Sequence, residues 1–221
     1  MASLIPSGVP KVIQKNWNSL TWNIETTDKE LYLTFDDGPI PEVTTWVLAQ
    51  LAIFNAKATF FCIGDNVTKH PDIYKSIIDQ GHAIGNHTNN HLKAWHHSSE
   101  EYLENIQRAD KALSENTQKS IGLNIQLFRP PYGQITPKLA NKIQTELGKK
   151  VIMWSVLSKD YSPKVTPHTC AKNVISNATM GSIVVFHDSL KAFKNLKVAL
   201  PETLAHFSKI GYVFKRIPAL D

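Results

Sequence analysis

The sequence predicts an α/β fold, a parallel sheet with helical crossovers. Short apolar runs rich in β-formers alternate along most of the chain with amphipathic segments of helical spacing. Glycine and proline punctuate many of the junctions. Polar residues of chemical interest stand at the ends of the apolar runs: Asp36 and Asp37, His87, Arg129, Asp160 and His187. In a barrel of βα units the loops after the strands converge on one rim, and an open doubly wound sheet shows a similar alternation. Both architectures fit. The 221 residues suffice for one domain with a sizeable core.

Residues 1–30 hold two prolines, two tryptophans and little periodicity, and read as a lead-in packed on the domain that occupies 31–221. The run from Leu31 to Phe35 reads as a buried strand ending in two adjacent carboxylates, after which Gly38-Pro39 turns the chain. Residues 41–54 carry Val43, Val47, Leu48, Leu51 and Phe54 at helical spacing, with Pro41 suited to a first turn. A strand over 58–63 is followed by a helix over 64–80, closed by Gly81, and by a short strand at 82–84. A long amphipathic helix covers 99–113, with Ser98 or Ser99 as its cap, and 114–124 is a polar surface connection.

Residues 125–128 form a strand that leads into Arg129-Pro130-Pro131-Tyr132-Gly133. Thr136 caps a helix beginning at Pro137 and running to about Leu147. A strand over 151–156, a loop with Pro163 and Pro167, a helix over 168–178 and an apolar strand over 182–186 follow. The last helix, 193–210, contains Pro201 and is expected to break or kink there before a final strand at 211–214.

Composition excludes several classes. Apolar residues at 42% and charged residues at 19% describe an ordinary globule, and no segment approaches the roughly eighteen apolar residues of a membrane span. The net charge is +5, but the lysines look scattered along the chain, which argues against a nucleic-acid partner. Cys62 and Cys170 make no metal-type spacing, and Cys62, within an apolar run, reads as a buried, reduced thiol. The first residues lack the charged start and apolar run of a secretory signal, which fits a cytoplasmic protein or one whose export signal is absent.

Adjacent carboxylates repel and cost free energy to desolvate, so Asp36-Asp37 on a buried strand calls for a cation opposite. The competing reading is an Asp-Gly turn with solvated carboxylates. His87 and His91 stand at i and i+4; on a helical turn they share a face, and with Asp37 they would make a His₂Asp zinc site with an open position. Arg129 precedes a rigid proline turn and could grip a carboxylate with both arms of its fork, or lie on the surface. His187 ends an apolar strand and could act as acid or base, or be a satisfied structural histidine.

The set TFDDGP, HTNNH, RPPYG and VVFHDS, in this order, resembles the polysaccharide deacetylase domain of the fourth carbohydrate esterase family, from about Leu31 to Phe214. The resemblance implies a distorted (β/α)7 barrel. It implies metal-dependent removal of acetyl groups from N-acetylated sugars of peptidoglycan or chitin, or from O-acetylated xylan. Carried over by motif, Asp36 is the general base and Arg129 its partner, while Asp37, His87 and His91 hold a divalent metal, Zn²⁺ by preference. The backbone N–H of Tyr132 binds the oxyanion, His187 is the general acid, and Asp160 orients it.

Where the family commonly reads Trp-Asp-x-Asp-x-x-Asp-Trp, this chain has Trp154, Ser155, Leu157, Asp160 and Tyr161. These departures fall where the family lines its acetyl pocket. An N-deacetylase of an acetylated glycan is the leading expectation. An O-acetyl ester hydrolase on a xylan-like polysaccharide and a catalytically silent glycan-binding domain are the alternatives. Tyr132, Trp154, Tyr161 and Trp95 are candidate sugar platforms or core residues.

Overall fold

A computed structural model of the chain describes residues 6–117 and 125–218. In chain order its elements are α1 (Lys11–Asn16), β1 (Glu30–Asp36), α2 (Val43–Ile53), β2 (Thr59–Cys62), α3 (Gly64–Lys69), α4 (Pro71–Asp79), β3 (Ala83–Asn86) and α5 (Ser99–Glu115). Then come β4 (Leu127–Phe128), α6 (Pro137–Leu147), β5 (Lys150–Val151), β6 (Val156–Leu157), α7 (Pro167–Ile175), β7 (Ile183–His187), α8 (Leu190–Lys209) and β8 (Val213–Phe214). Seven strands lie in the order β5-β4-β3-β2-β1-β7-β6, with β8 paired to β1, and every pairing is parallel. The sheet curls into the distorted barrel that the motifs imply.

Strand β1 organises the sheet. All seven of its residues are buried, as expected of a strand covered on both faces. Leu31, Leu33 and Phe35 face a layer that includes Phe60, Phe186 and the apolar stripes of α2, α4, α7 and α8. The Phe35 ring stacks on Phe60 at 5.1 Å and on Phe186 at 6.1 Å. Tyr32, on the other face, joins Phe61, Phe128, Val151 and Val185 in a second cluster. Asp36 pairs in register with Phe61 and His187, so the carboxylate and the imidazole leave the sheet at the same level.

Several elements differ from expectation. The helix over 64–80 is two helices, because Pro71 cannot continue α3 and instead opens α4 after His70 at φ −132°. The strand over 151–156 is also two. Its ends serve opposite margins of the sheet, β5 against β4 and β6 against β7, and the mostly apolar run, with Ser155 its one polar residue, conceals the change of partner. The break at Pro201 does not occur: α8 runs on from Leu190 to Lys209. Its i−4 residue, Lys197, is exposed, so the carbonyl that loses its N–H partner can be hydrated. Residues 118–124 of the polar connection lie outside the described residues; α5 itself extends to Glu115, with a Ser98–Glu101 capping box at its start.

The first segment crosses the interval between β5 and β6. Thr21 bridges to Ile152, Gly8 to Val156 and Asn23 to Ser182. The Met153 N–H donates to Thr21 O at 2.7 Å, and the Leu157 N–H to Ser7 O at 2.8 Å. Leu20 is buried in the second cluster, with Trp17 and Trp22 packed against it.

Candidate active site

The strand-end residues meet around a cleft of about 570 Å³ lined by Asp36, Asp37, His87, His91, Tyr132 and His187, among others. Asp36 is buried, and the guanidinium of Arg129, wholly buried, donates to its Oδ1 at 2.8 Å. The fork is not bidentate on the carboxylate. Nη1 also donates to Thr34 Oγ1 at 2.6 Å, Nη2 to Met153 O at 2.8 Å and Nε to Ile152 O at 3.2 Å. The cationic face lies 4.1 Å from the Phe61 ring centroid. Arg129 is thus anchored by β1 and by the chain beyond β5, and it fixes Asp36 by one charge-assisted bond.

Asp37, His87 and His91 form the one group of three or more potential ligand residues, among those described, whose donor atoms all lie within 4.8 Å of one another. Asp37 Oδ1 is 3.2 Å from His91 Nε2 and 3.7 Å from His87 Nε2, and this buried oxygen has no hydrogen bond of its own. Donors that share a tetrahedral zinc at about 2.1 Å stand roughly 3.4 Å apart, so the set fits such an ion. His87 Nδ1 contacts Arg129 O at 2.8 Å, which places the proton there and leaves Nε2 free to ligate. Burial lowers the His87 pKa to about 4 and keeps the ring neutral. Burial works to raise Asp37, but the His91 contact and the charges of His187 and His87 outweigh it and hold the carboxyl well below its ordinary range.

The histidine pair does not sit on a helical turn. It belongs to an irregular loop after β3 in which Thr88 and His91 have left-handed φ values of 65° and 58°. Those conformations, unfavourable for non-glycine residues, are over-determined by neighbours. Gly64 N–H donates to Thr88 O at 3.1 Å, Asp65 N–H to Asn89 O at 2.8 Å, and Asn89 N–H to Asn105 Oδ1 at 2.8 Å. Asp37 at φ 86° and Tyr132 at φ 60° are left-handed as well.

His187 pairs with Asp160: Nδ1 is 2.8 Å from Oδ1, and the His187 backbone N–H donates to Oδ2 at 2.8 Å. Asp160 is fully buried and its own carbonyl accepts from Asn195 Nδ2 at 2.8 Å. Burial alone would depress the imidazole, yet Asp160, then Asp37 and Asp36, push its pKa up to about 9. Tyr161 meets the His187 ring edge-on at 5.0 Å, and Tyr132 meets the His91 ring likewise at 4.5 Å. Trp154, Trp95 and Leu157 also line the cleft, whereas Ser155 turns its hydroxyl to Ile183 O at 3.4 Å. Of the departures from the family pattern, Leu157 and Tyr161 reach the site.

Asp188 is a site residue that strand-end reasoning passed over. It is fully buried and accepts from Gly38 N–H at 3.0 Å and Thr44 Oγ1 at 2.6 Å. Burial pushes its pKa well up. Its signal was its place immediately after His187 on an apolar strand.

Residues 23–152 match the family model for polysaccharide deacetylase. The chain is 36% identical over 203 residues to a peptidoglycan-N-acetylglucosamine deacetylase of Bacillus cereus, covering 91% of this chain and 92% of that one. It is 34% identical over 166 residues to a chitooligosaccharide deacetylase of Azorhizobium caulinodans, covering 75% and 76%. The solved structure of the peptidoglycan N-acetylglucosamine deacetylase Bc1960 superposes with a TM-score of 0.84 at 30% identity, over 95% of each chain. The family match and these relatives make the chain a carbohydrate-directed hydrolase of carbon–nitrogen bonds other than peptide bonds. The chain belongs to the polysaccharide deacetylase family, the fourth family of carbohydrate esterases.

Proposed function

We propose that this protein removes acetyl groups from the N-acetylated amino sugars of a glycan of peptidoglycan or chitin type, using a divalent cation, Zn²⁺ by preference. The observation that carries the reading is the meeting, in one cleft, of the Asp37–His87–His91 donor set, the Asp36–Arg129 pair and the Asp160–His187 pair. We place the reaction in residues 31–221, with residues 1–30 as a lead-in.

Asp37, His87 and His91 would hold the cation, which, when bound, polarises the acetyl carbonyl and lowers the pKa of water toward roughly 7. Asp36 takes the proton of the attacking water. Arg129 keeps that carboxylate aligned through its single bond to Oδ1, leaving Oδ2 for the reaction. The backbone N–H of Tyr132 donates to the oxyanion; one such donor contributes about 3 kcal/mol. His187 spends Nδ1 on Asp160 and uses its other nitrogen to protonate the leaving amine, which a poor leaving group requires. The aromatic walls supply faces on which sugar rings can pack.

Acetate release tests the reading. Acetylated chitooligosaccharides, peptidoglycan and acetylxylan are each assayed with and without a chelator, then with added zinc. Chelator-sensitive acetate from an amino-sugar substrate supports the proposal. Acetate from acetylxylan alone would move the activity to ester hydrolysis, and metal binding without acetate would leave a glycan-binding domain.

A further inference from the structure

Resting on the deacetylase reading, we infer that a lysine-lined cleft beside the catalytic one binds a carboxylate of the glycan, so that the substrate is an anionic rather than a neutral polymer. This second cleft, about 400 Å³, is lined by Lys164, Lys191 and Lys194 together with residues 161–163, 165–167 and Asn195. It shares Tyr161 and Lys191 with the catalytic cleft, so one extended chain can occupy both. The lysines come from two segments, the loop after β6 and the first turns of α8, which is why they look scattered in the sequence.

Their charges are uncommitted. The lysine ion pairs among the described residues involve Lys75, Lys111, Lys142, Lys149 and Lys215, and none involves Lys164, Lys191 or Lys194. Between Tyr161 and Pro201 the one acidic residue is Asp188, fully buried and bonded to Gly38 and Thr44. Helix α7, whose first residues line the same cleft, has no acid in its first turn. Among the described residues no carboxylate is ion-paired to these ammonium groups, and the flanking acids are engaged elsewhere, Asp160 with His187 and Glu202 with His168.

Lysines also stand over both aromatic walls of the catalytic cleft. Lys191 Nζ lies 5.7 Å from the Tyr161 ring centroid and Lys93 Nζ 5.3 Å from that of Tyr132. Each tyrosine in turn packs edge-on against a site histidine, Tyr161 on His187 and Tyr132 on His91. The ring contacts hold the lysine heads at the mouth rather than free in solvent. A neutral amino-sugar polymer offers such groups hydroxyl and acetamide oxygens but no counter-charge. A glycan bearing carboxylates, from a lactyl ether or from a peptide stem, satisfies them.

The test uses the full chain loaded with zinc, and four oligosaccharides of equal length. One is neutral N-acetylglucosamine, one alternates N-acetylglucosamine with N-acetylmuramic acid, one is the same with its lactyl carboxylates amidated, and one carries peptide stems. For the double variant Lys164→Gln/Lys194→Gln, KM on the carboxylated sugars should rise about fivefold with kcat held, while the neutral and amidated sugars change less than about twofold. Salt should raise the wild-type KM on the carboxylated sugars alone. A preference for the lactyl or the stem-bearing sugar identifies the source of the carboxylate. Equal KM changes on all four sugars, or none on any, would overturn the inference. Calorimetric binding of the same sugars separates the two readings. Lysine-dependent binding without acetate release would sink the deacetylase reading and keep the subsite, and acetate release indifferent to the lysines would do the reverse.

Discussion

Asp188 clasps the turn that carries Asp37, its Oδ1 accepting the Gly38 N–H at 3.0 Å while its own N–H donates to Asp36 O at 3.0 Å. The approach is so close that a Cβ on Gly38 would lie 2.0 Å from Asp188 Oδ2. With Asn66 Nδ2 on Asp37 O at 2.7 Å, these bonds keep Asp37 left-handed and its donor oxygen aimed at the two imidazoles.

Asp188→Ala should therefore weaken zinc binding about tenfold or more, and unpairing the Gly38 N–H and Thr44 hydroxyl should each cost about 1–3 kcal/mol of stability. Asp188→Asn keeps an oxygen for Gly38 and should retain most of the affinity. Competition titration against a chelating dye reads both variants. Equal affinity in Ala and wild type would free the turn from Asp188.

The proposed base and the proposed metal ligands separate experimentally. Asp36→Asn keeps its contact to Arg129 but cannot take a proton, so zinc content should stay near one per chain while turnover falls by at least about 10²-fold. His91→Ala should lose zinc and turnover together. Metal analysis beside acetate release checks the contrast, and an active Asp36→Asn enzyme would remove Asp36 from its role.

For His187 the sign is set by a raised pKa. If His187 is the proposed general acid, its acid form is lost as pH rises through about 9, and the rate should show an alkaline limb there. A cation on Asp37 cancels part of that carboxylate's pull, so the holoenzyme limb should fall at or somewhat below this value. Asp160→Asn should move it down toward the ordinary imidazole range, about 6.5. In the metal-free protein the same shift stabilises the fold fully below about 6.5 and is lost through about 9. Denaturant unfolding near pH 6 and near pH 9.5 should show this loss in wild type and much less in Asp160→Asn.

Gly85 touches the site at one remove. A Cβ there would lie 2.4 Å from the Phe61 ring, whose other neighbour is the Arg129 guanidinium. Gly85→Ala should cost about 1–3 kcal/mol and lower kcat more than it raises KM, because the ring displaces Arg129 and with it Asp36. Thermal unfolding and steady-state kinetics measure the two effects.

What the sequence disclosed was the sheet and its strand-end chemistry, because buried parallel strands are apolar runs and their final residues are conspicuously polar. Asp36, Asp37 and His187 were legible on that ground alone. The loop geometry was not. The i, i+4 spacing of His87 and His91 suggests a helix, whereas two left-handed residues held by Asn105 and by the backbone of α3 bring the rings together. Likewise the fork of Arg129 looks made for a carboxylate, but backbone carbonyls released where β5 ends take two of its four hydrogen bonds and Thr34 a third. Such partners depend on distant segments, and no local pattern announces them. The same holds for the lysines of the second cleft, which are neighbours in space alone.

The bridges of residues 7–23 to the chain between β5 and β6 have an engineering consequence. The family match begins at residue 23, and a truncation designed on that limit would discard Ser7, Gly8 and Thr21. It would bare the partners of Met153 and Leu157 and leave two raw sheet margins, which recruit foreign strands. Such a shortened enzyme should precipitate or dimerise by edge exchange, and adding the missing strip back in trans as a peptide should restore it. Residues 7–23 act as one stave of the barrel wall, and success of that complementation would make them a handle for splitting the enzyme into two parts.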